Sequence, residues 1–192
     1  MKKKLVLFFI FFIFIEQTYA QEDIMIMKLK DGDVIIELFG EIAPEHVKRF
    51  KLLANEKKYD GVVFHRVIVG FMAQTGDVQF GNPNLESFDL RLAGTGGSEY
   101  PDLKAEFSDI PHERGTISMA RLEPGTASSE FFICINDQPQ LDFGGMRNPD
   151  GQGFAAFGKV TSGLNVVKKI QMMPVNGQIL QKTVKIMSIK RD

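Results

Sequence analysis

The sequence of 192 residues contains no tryptophan, one cysteine and three histidines. The single cysteine, Cys134, excludes an intramolecular disulfide framework and any zinc or iron-sulfur site built on several cysteines. His46, His65 and His112 lack metal-ligand spacing, and the glycine-rich run 94–98 lacks the lysine of a phosphate loop. We therefore predict no metal and no cofactor.

The numbers of basic and acidic residues are nearly equal. The 23 basic and 24 acidic residues give a formal net charge of -1. A broad cationic surface for nucleic acid or anionic lipid is thus excluded, and we expect no nucleic-acid partner.

Phenylalanine, in contrast, is abundant, and five of the 17 phenylalanines lie close together near the start of the chain. They belong to an apolar stretch of eleven residues that follows three lysines and precedes the small residue Ala20. This pattern predicts a secretory signal peptide over 1–20, because a helix that spans a bilayer needs about 20 apolar residues. We expect one domain over 21–192, monomeric and without a stable membrane anchor after cleavage. Its predicted location is the periplasm or, alternatively, the outside of the cell.

The remaining sequence is organised as short apolar runs with glycine-rich turns, typical of a closed β-sheet. The runs cover 24–29, 34–39, 62–74 with a break at Gly70, 115–120, 131–135, 155–160 and 183–189. Apolar residues at helical spacing predict helices over 44–55 and 163–172. The irregular stretches 77–106 and 136–154 are long enough to indicate functional loops.

Three blocks of sequence name a family when they are taken in order. The first is 64–77, which reads FHRVIVGFMAQTGD; the second joins 115–121 to 127–133; the third joins 138–142 to 157–160. Together they resemble the cyclophilin family of peptidyl-prolyl cis-trans isomerases over nearly all of the chain beyond Ala20. The resemblance implies an all-β fold, a closed eight-stranded antiparallel β-barrel capped by two α-helices. It also implies proline-containing peptides and unfolded or partly folded exported proteins as partners.

The chemistry of that family explains the residue types in the blocks. The partial double bond of an X-Pro peptide creates a rotation barrier of ~18–20 kcal/mol, and a donor to the prolyl nitrogen stabilises the twisted state selectively. The resemblance implies that Arg66 is this donor and that Gln74 orients it. It further implies a substrate-binding set of His65, Phe71, Met72, Ala120, Arg121, Phe132, Leu141 and Phe154, in which Arg121 acts through its backbone. Without the resemblance, core packing would explain the apolar members and a surface ion pair would explain Arg66.

The sequence departs from the common family pattern at several places. Gln140 stands where many members carry tryptophan or another aromatic residue, which predicts weak binding of cyclosporin. Glu130 replaces a common glutamine, and Phe154 replaces a common histidine or tyrosine. The segments 78–93 and 143–153 are longer than usual, which makes them candidates for a surface specific to this protein.

A second interpretation is a non-catalytic peptide-binding or chaperone module on the same barrel. A protein that only binds has no physical need for an arginine beside the proline pocket. The sequence therefore favours the isomerase.

Overall fold

The computed structural model describes residues 23–86 and 88–192. The predicted signal peptide, 1–20, lies outside the described residues. Within the described part of the chain, no helix combines the length and the apolar character needed to cross a membrane.

The described chain forms one antiparallel sheet that closes on itself. Its strands are β1 (Ile24–Leu29), β2 (Gly32–Leu38), β3 (Val63–Ile68), β4 (Met72–Thr75), β5 (Thr116–Met119), β6 (Phe131–Cys134), β7 (Ala156–Ser162), β8 (Val175–Asn176) and β9 (Ile179–Arg191). The order is β1-β2-β7-β5-β6-β4-β3-β9, and β1 also pairs with β9, which closes the barrel. The two-residue β8 only forms a hairpin with β9. With α1 (Pro44–Asn55) and α2 (Leu164–Gln171), this confirms the predicted eight-stranded barrel with two helices.

The helix boundaries follow from local chemistry. Pro44 occupies the first turn of α1, where its missing N–H costs no hydrogen bond. Gly163 precedes α2 with φ 83°, a conformation that glycine adopts without strain. The second helix therefore begins one residue later than the predicted 163–172, and it ends one residue earlier, at Gln171.

The predicted strand 62–74 divides into β3 and β4. The two strands form a hairpin in which Ile68 pairs with Met72, and Gly70 turns the chain with φ 75°. This tight turn leaves Phe71 between the strands and half-buried, at the rim of the barrel surface.

An aromatic cluster fills the interior of the barrel. The ring of Phe50 on α1 lies 5.5 Å from Tyr59, 5.3 Å from Phe131 and 5.3 Å from Phe157, measured between centroids. All four side chains are fully buried. The Tyr59 hydroxyl donates to the Ser129 carbonyl oxygen at 3.0 Å, so its burial leaves no unpaired polar group.

A second apolar cluster lies outside this interior. Successive side chains of a strand point to opposite faces, so Phe131 and Ile133 of β6 face the interior core while Phe132 and Cys134 face outward. Met72 and Leu141 complete the buried part of this outer cluster. Cys134 is buried there.

Candidate active site

The outer apolar cluster forms one part of a groove with a volume of about 790 Å³. The ten residues that the sequence predicted all line it: His65, Arg66, Phe71, Met72, Gln74, Ala120, Arg121, Phe132, Leu141 and Phe154. They come from β3, β4, β6 and three connecting segments, so the closed barrel brings together residues up to 89 positions apart, from His65 to Phe154.

The apolar end of the groove has aromatic walls. The rings of Phe132 and Phe154 meet edge to face, with centroids 5.3 Å apart. His112 stacks behind Phe132, with centroids 6.4 Å apart and an interplanar angle of 20°. Phe71 and Ala120 pack against the same cluster at its exposed edge. The result is an apolar pocket with one open side.

Arg66 lies beside this pocket and is held by two amide side chains. Its Nη1 donates to Gln74 Oε1 at 2.9 Å, and its Nε donates to Gln178 Oε1 at 2.7 Å. Arg66 and Gln74 are directly opposed in the β3–β4 pair, which fixes the first contact. Burial, and after it the charge of Arg147, lower the pKa of the Arg66 guanidinium.

A buried carboxyl group stands behind Gln74. The Nε2 of Gln74 donates to Glu130 Oε2 at 2.7 Å, so Glu130, Gln74 and Arg66 form a hydrogen-bonded chain. Burial raises the pKa of Glu130 to about 8, despite the hydrogen bond from Gln74. Glu130 is therefore mostly protonated at pH 7.

His65 lies 3.6 Å from Glu130, measured from Nε2 to Oε2. Burial lowers the pKa of His65 to about 4, so the imidazole is neutral at pH 7. The distance is too long for a hydrogen bond, and both groups are uncharged, so the contact is not a salt bridge. Neither ring nitrogen of His65 has a hydrogen-bond partner among the described residues.

The glycine-rich run 94–98 lines the groove because Asp77 holds it there. The Asp77 carboxylate accepts from the backbone N–H of Gly94 at 2.8 Å and of Gly96 at 3.1 Å. A Cβ at Gly94 would lie 2.8 Å from His65 Nε2, and its φ is +100°. The run is thus a turn packed against the groove floor.

Arg121 lines the groove and also fixes the segment 143–153. Its side chain, 3% exposed, donates to both carboxylate oxygens of Asp150 at 2.7 and 2.9 Å. It also donates to the Gly153 carbonyl oxygen at 2.6 Å. The sequence suggested a role for its backbone alone and missed this anchor.

Ser118, His112 and Asp142 form a further chain that has the residue types of a hydrolase triad. Ser118 Oγ lies 2.8 Å from His112 Nε2, and His112 Nδ1 lies 2.8 Å from Asp142 Oδ1. Ser118 is fully buried and does not line the groove, so it cannot attack a substrate. The chain instead supports Phe132, on which the His112 ring stacks.

No group of three or more metal-ligating side chains occurs in residues 23–86 and 88–192. The groove thus offers arginine side chains beside an apolar pocket, with Arg66 held in place by two amide side chains. An apolar pocket beside a fixed hydrogen-bond donor can bind an apolar ring and stabilise a polar atom next to it.

Comparison with known proteins decides the family. The family profile described as "Cyclophilin type peptidyl-prolyl cis-trans isomerase/CLD" matches residues 24–191. The chain belongs to the cyclophilin family. It is a peptidyl-prolyl cis-trans isomerase, as the resemblance implied.

Relatives from bacteria support this cyclophilin assignment. A probable peptidyl-prolyl cis-trans isomerase of Brucella suis is 52% identical over 151 residues, which cover 78% of this chain and 72% of the relative. Peptidyl-prolyl cis-trans isomerase B of Bacillus subtilis is 40% identical over 156 residues, covering 80% and 91%.

A crystal structure of a Cryptosporidium parvum cyclophilin, obtained in the presence of the dipeptide Ala-Pro, supports the fold. It superposes with a TM-score of 0.72 at 24% identity and covers 88% of this chain and 98% of that one.

Proposed function

We propose that Arg66 catalyses the isomerisation by donating a hydrogen bond to the prolyl nitrogen as that nitrogen becomes pyramidal. The observation that supports this proposal is that hydrogen bonds to Gln74 and Gln178 fix the orientation of the guanidinium. These contacts occupy Nη1 and Nε, while Nη2 has no acceptor among the described residues. A preorganised donor of this kind stabilises the twisted transition state more than the planar ground state.

The apolar pocket would hold the proline ring of the substrate. Phe132 and Phe154 supply an edge-to-face pair of walls, and Met72 and Leu141 close the buried side. Proline-containing peptides are the proposed substrates, in line with the Ala-Pro dipeptide named for the Cryptosporidium parvum structure. Removing water from around the prolyl nitrogen would strengthen its hydrogen bond to Arg66.

Gln178 is a positioning residue in this mechanism. Replacing it by alanine should lower kcat for an X-Pro peptide about two- to tenfold, which corresponds to the ~0.5–1.5 kcal/mol net contribution of one hydrogen bond. KM should change little, because the apolar pocket is untouched. Gln178→Glu keeps an oxygen acceptor for Nε and should restore kcat to near the wild-type value. NMR exchange spectroscopy on the peptide measures both constants.

Gln181→Ala is the matched control, because Gln181 lies on the same hairpin and donates to the Val175 carbonyl oxygen at 3.2 Å. If Gln181→Ala lowered kcat as much as Gln178→Ala does, the effect would come from the hairpin and not from Arg66. An unchanged kcat in Gln178→Ala would contradict the positioning role.

The proposed physiological task is to assist the folding of exported proteins. The lysine-rich start, the short apolar stretch and Ala20 support export with cleavage after Ala20. N-terminal sequencing of protein purified from the periplasm or medium should begin at Gln21. Soluble protein that retains Met1 would contradict this proposal and leave the isomerase mechanism untouched.

A further inference from the structure

The segment 143–153 is an ordered part of the groove wall. The N–H of Arg147 donates to the Gln140 carbonyl oxygen at 3.0 Å, and Gly144 and Gly151 are joined by a backbone hydrogen bond of 2.7 Å. The side chain of Arg121 fixes the far end through Asp150. These contacts hold Arg147 beside Gln140, where many family members carry an indole.

The guanidinium of Arg147 covers one wall of the apolar pocket. Its carbon Cζ lies 5.1 Å from the centroid of the Phe71 ring, a distance typical of a cation–π contact. The side chain lines the groove, is exposed, and forms no salt bridge with any described acidic residue. Its charge acts on Arg66, whose pKa it lowers.

Arg121 is paired with Asp150, which leaves Arg66 and Arg147 as two positive charges at the pocket without a salt bridge to an acidic residue in the described part of the chain. The acidic residues that line the groove are Glu130 and Asp102, and Asp150, the partner of Arg121, does not line it. Glu130 is mostly protonated at pH 7. Asp102 precedes Leu103, which forms a bridge with Ala127.

We propose that Arg147 is a specificity-determining residue that selects substrates with aspartate or glutamate adjacent to the proline. A carboxylate next to a proline in the pocket would lie near Phe71 and form an ion pair with Arg147. This ion pair would reduce the repulsion between the guanidinium groups of Arg147 and Arg66. This inference rests on the proposed proline pocket, and it names the substrate class that the pocket prefers.

The test uses the full mature protein and peptides that differ only beside the proline. Glutamate, glutamine or lysine is placed either before or after the proline, and NMR exchange spectroscopy measures kcat/KM. Each step from lysine to glutamine to glutamate should raise kcat/KM roughly two- to fivefold on one side of the proline, the range for a partly exposed ion pair. The change should appear in KM and shrink between 0.05 and 0.5 M salt, concentrations chosen to shorten the Debye length to about 4 Å.

Variants separate Arg147 from the overall charge of the protein. Arg147→Gln should bring the glutamate-to-glutamine ratio close to one, and Arg147→Glu should favour the lysine peptide. Arg114→Gln is the matched control, because Arg114 is exposed, lies outside the groove and carries the same charge. The ratio of kcat/KM between the glutamate and glutamine peptides should be the same for Arg114→Gln as for the wild-type protein.

Two results would overturn the proposal: equal kcat/KM for glutamate and lysine peptides on both sides of the proline, or a glutamate preference that persists in Arg147→Gln. The glutamine peptide distinguishes a failure of the specificity inference from a failure of the proposed Arg66 mechanism. If its acceleration depends on Arg66 while no charge preference exists, only the specificity inference is wrong.

Discussion

Arg66→Ala should slow the catalysed isomerisation of an X-Pro peptide by about 100-fold or more, because one preorganised transition-state donor is worth about 10²–10³ in rate. The fold should persist, since the Arg66 side chain points from β3 into the groove and its two partners are amides that water can satisfy. The measurement is kcat/KM by NMR exchange spectroscopy, together with the melting temperature. We expect the loss in kcat and little change in the binding of a proline peptide.

Two further variants sharpen this prediction. Arg66→Lys keeps the charge but replaces the rigid fork by a single ammonium that cannot contact Gln74, Gln178 and the substrate from fixed directions. It should remain well below the wild-type rate. Arg114→Ala, outside the groove, should retain full activity. An Arg66→Ala variant with normal kcat would contradict the proposed mechanism and return Arg66 to the role of a surface residue.

Glu130→Gln should stabilise the protein at alkaline pH and have little effect at pH 5. The folded state raises the pKa of Glu130 from an ordinary value near 4.5 to about 8, so between these values the native protein holds a proton that the unfolded chain has released. Stability therefore falls as pH rises through this window, by at most ~1.4 kcal/mol per pH unit. Glutamine has no proton to lose and still offers an oxygen to Gln74.

The measurement is the free energy of unfolding by urea at pH 5 and pH 8. The free energy of unfolding of Glu130→Gln, relative to that of the wild type, should be about 2–4 kcal/mol higher at pH 8 than at pH 5. His65 has the opposite dependence, because its lowered pKa makes stability rise with pH up to about 6.5, but it is present in both proteins and cancels. Glu123→Gln, at an exposed glutamate, should leave the pH dependence unchanged. A pH-independent difference for Glu130→Gln would contradict a buried, protonated Glu130.

Local pattern predicted the elements well where a chemical signal marks their ends. The first helix has the predicted bounds because Pro44 starts it and its apolar residues repeat at helical spacing. The strand predicted over 183–189 extends over 179–191 because it pairs with β1, β3 and β8 along its length. Pairing over such sequence distances leaves no local mark.

The residues of the groove, like the secondary structure, could be predicted from the sequence only in part. The resemblance predicted the ten candidate residues because nine of them lie in the ordered blocks of the sequence and Phe154 lies between the two parts of the third block. The resemblance did not predict two residues that contact members of this set. Gln178 is 112 positions from Arg66, and Arg147 lies in a segment longer than the family pattern. Their contributions depend on three-dimensional distances, which neither spacing nor composition encodes. The buried state of Glu130 was invisible for the same reason.

The pairing of β1 with β9 also constrains when this protein can fold. Met25 opposes Arg191, so the barrel closes only after β9 has been synthesised and has left the ribosome. Contacts this distant in sequence slow folding, because a long loop must close before they form. A chain that cannot complete its sheet early leaves strand edges unpaired until its last strand is available, and unpaired edges can associate with other chains.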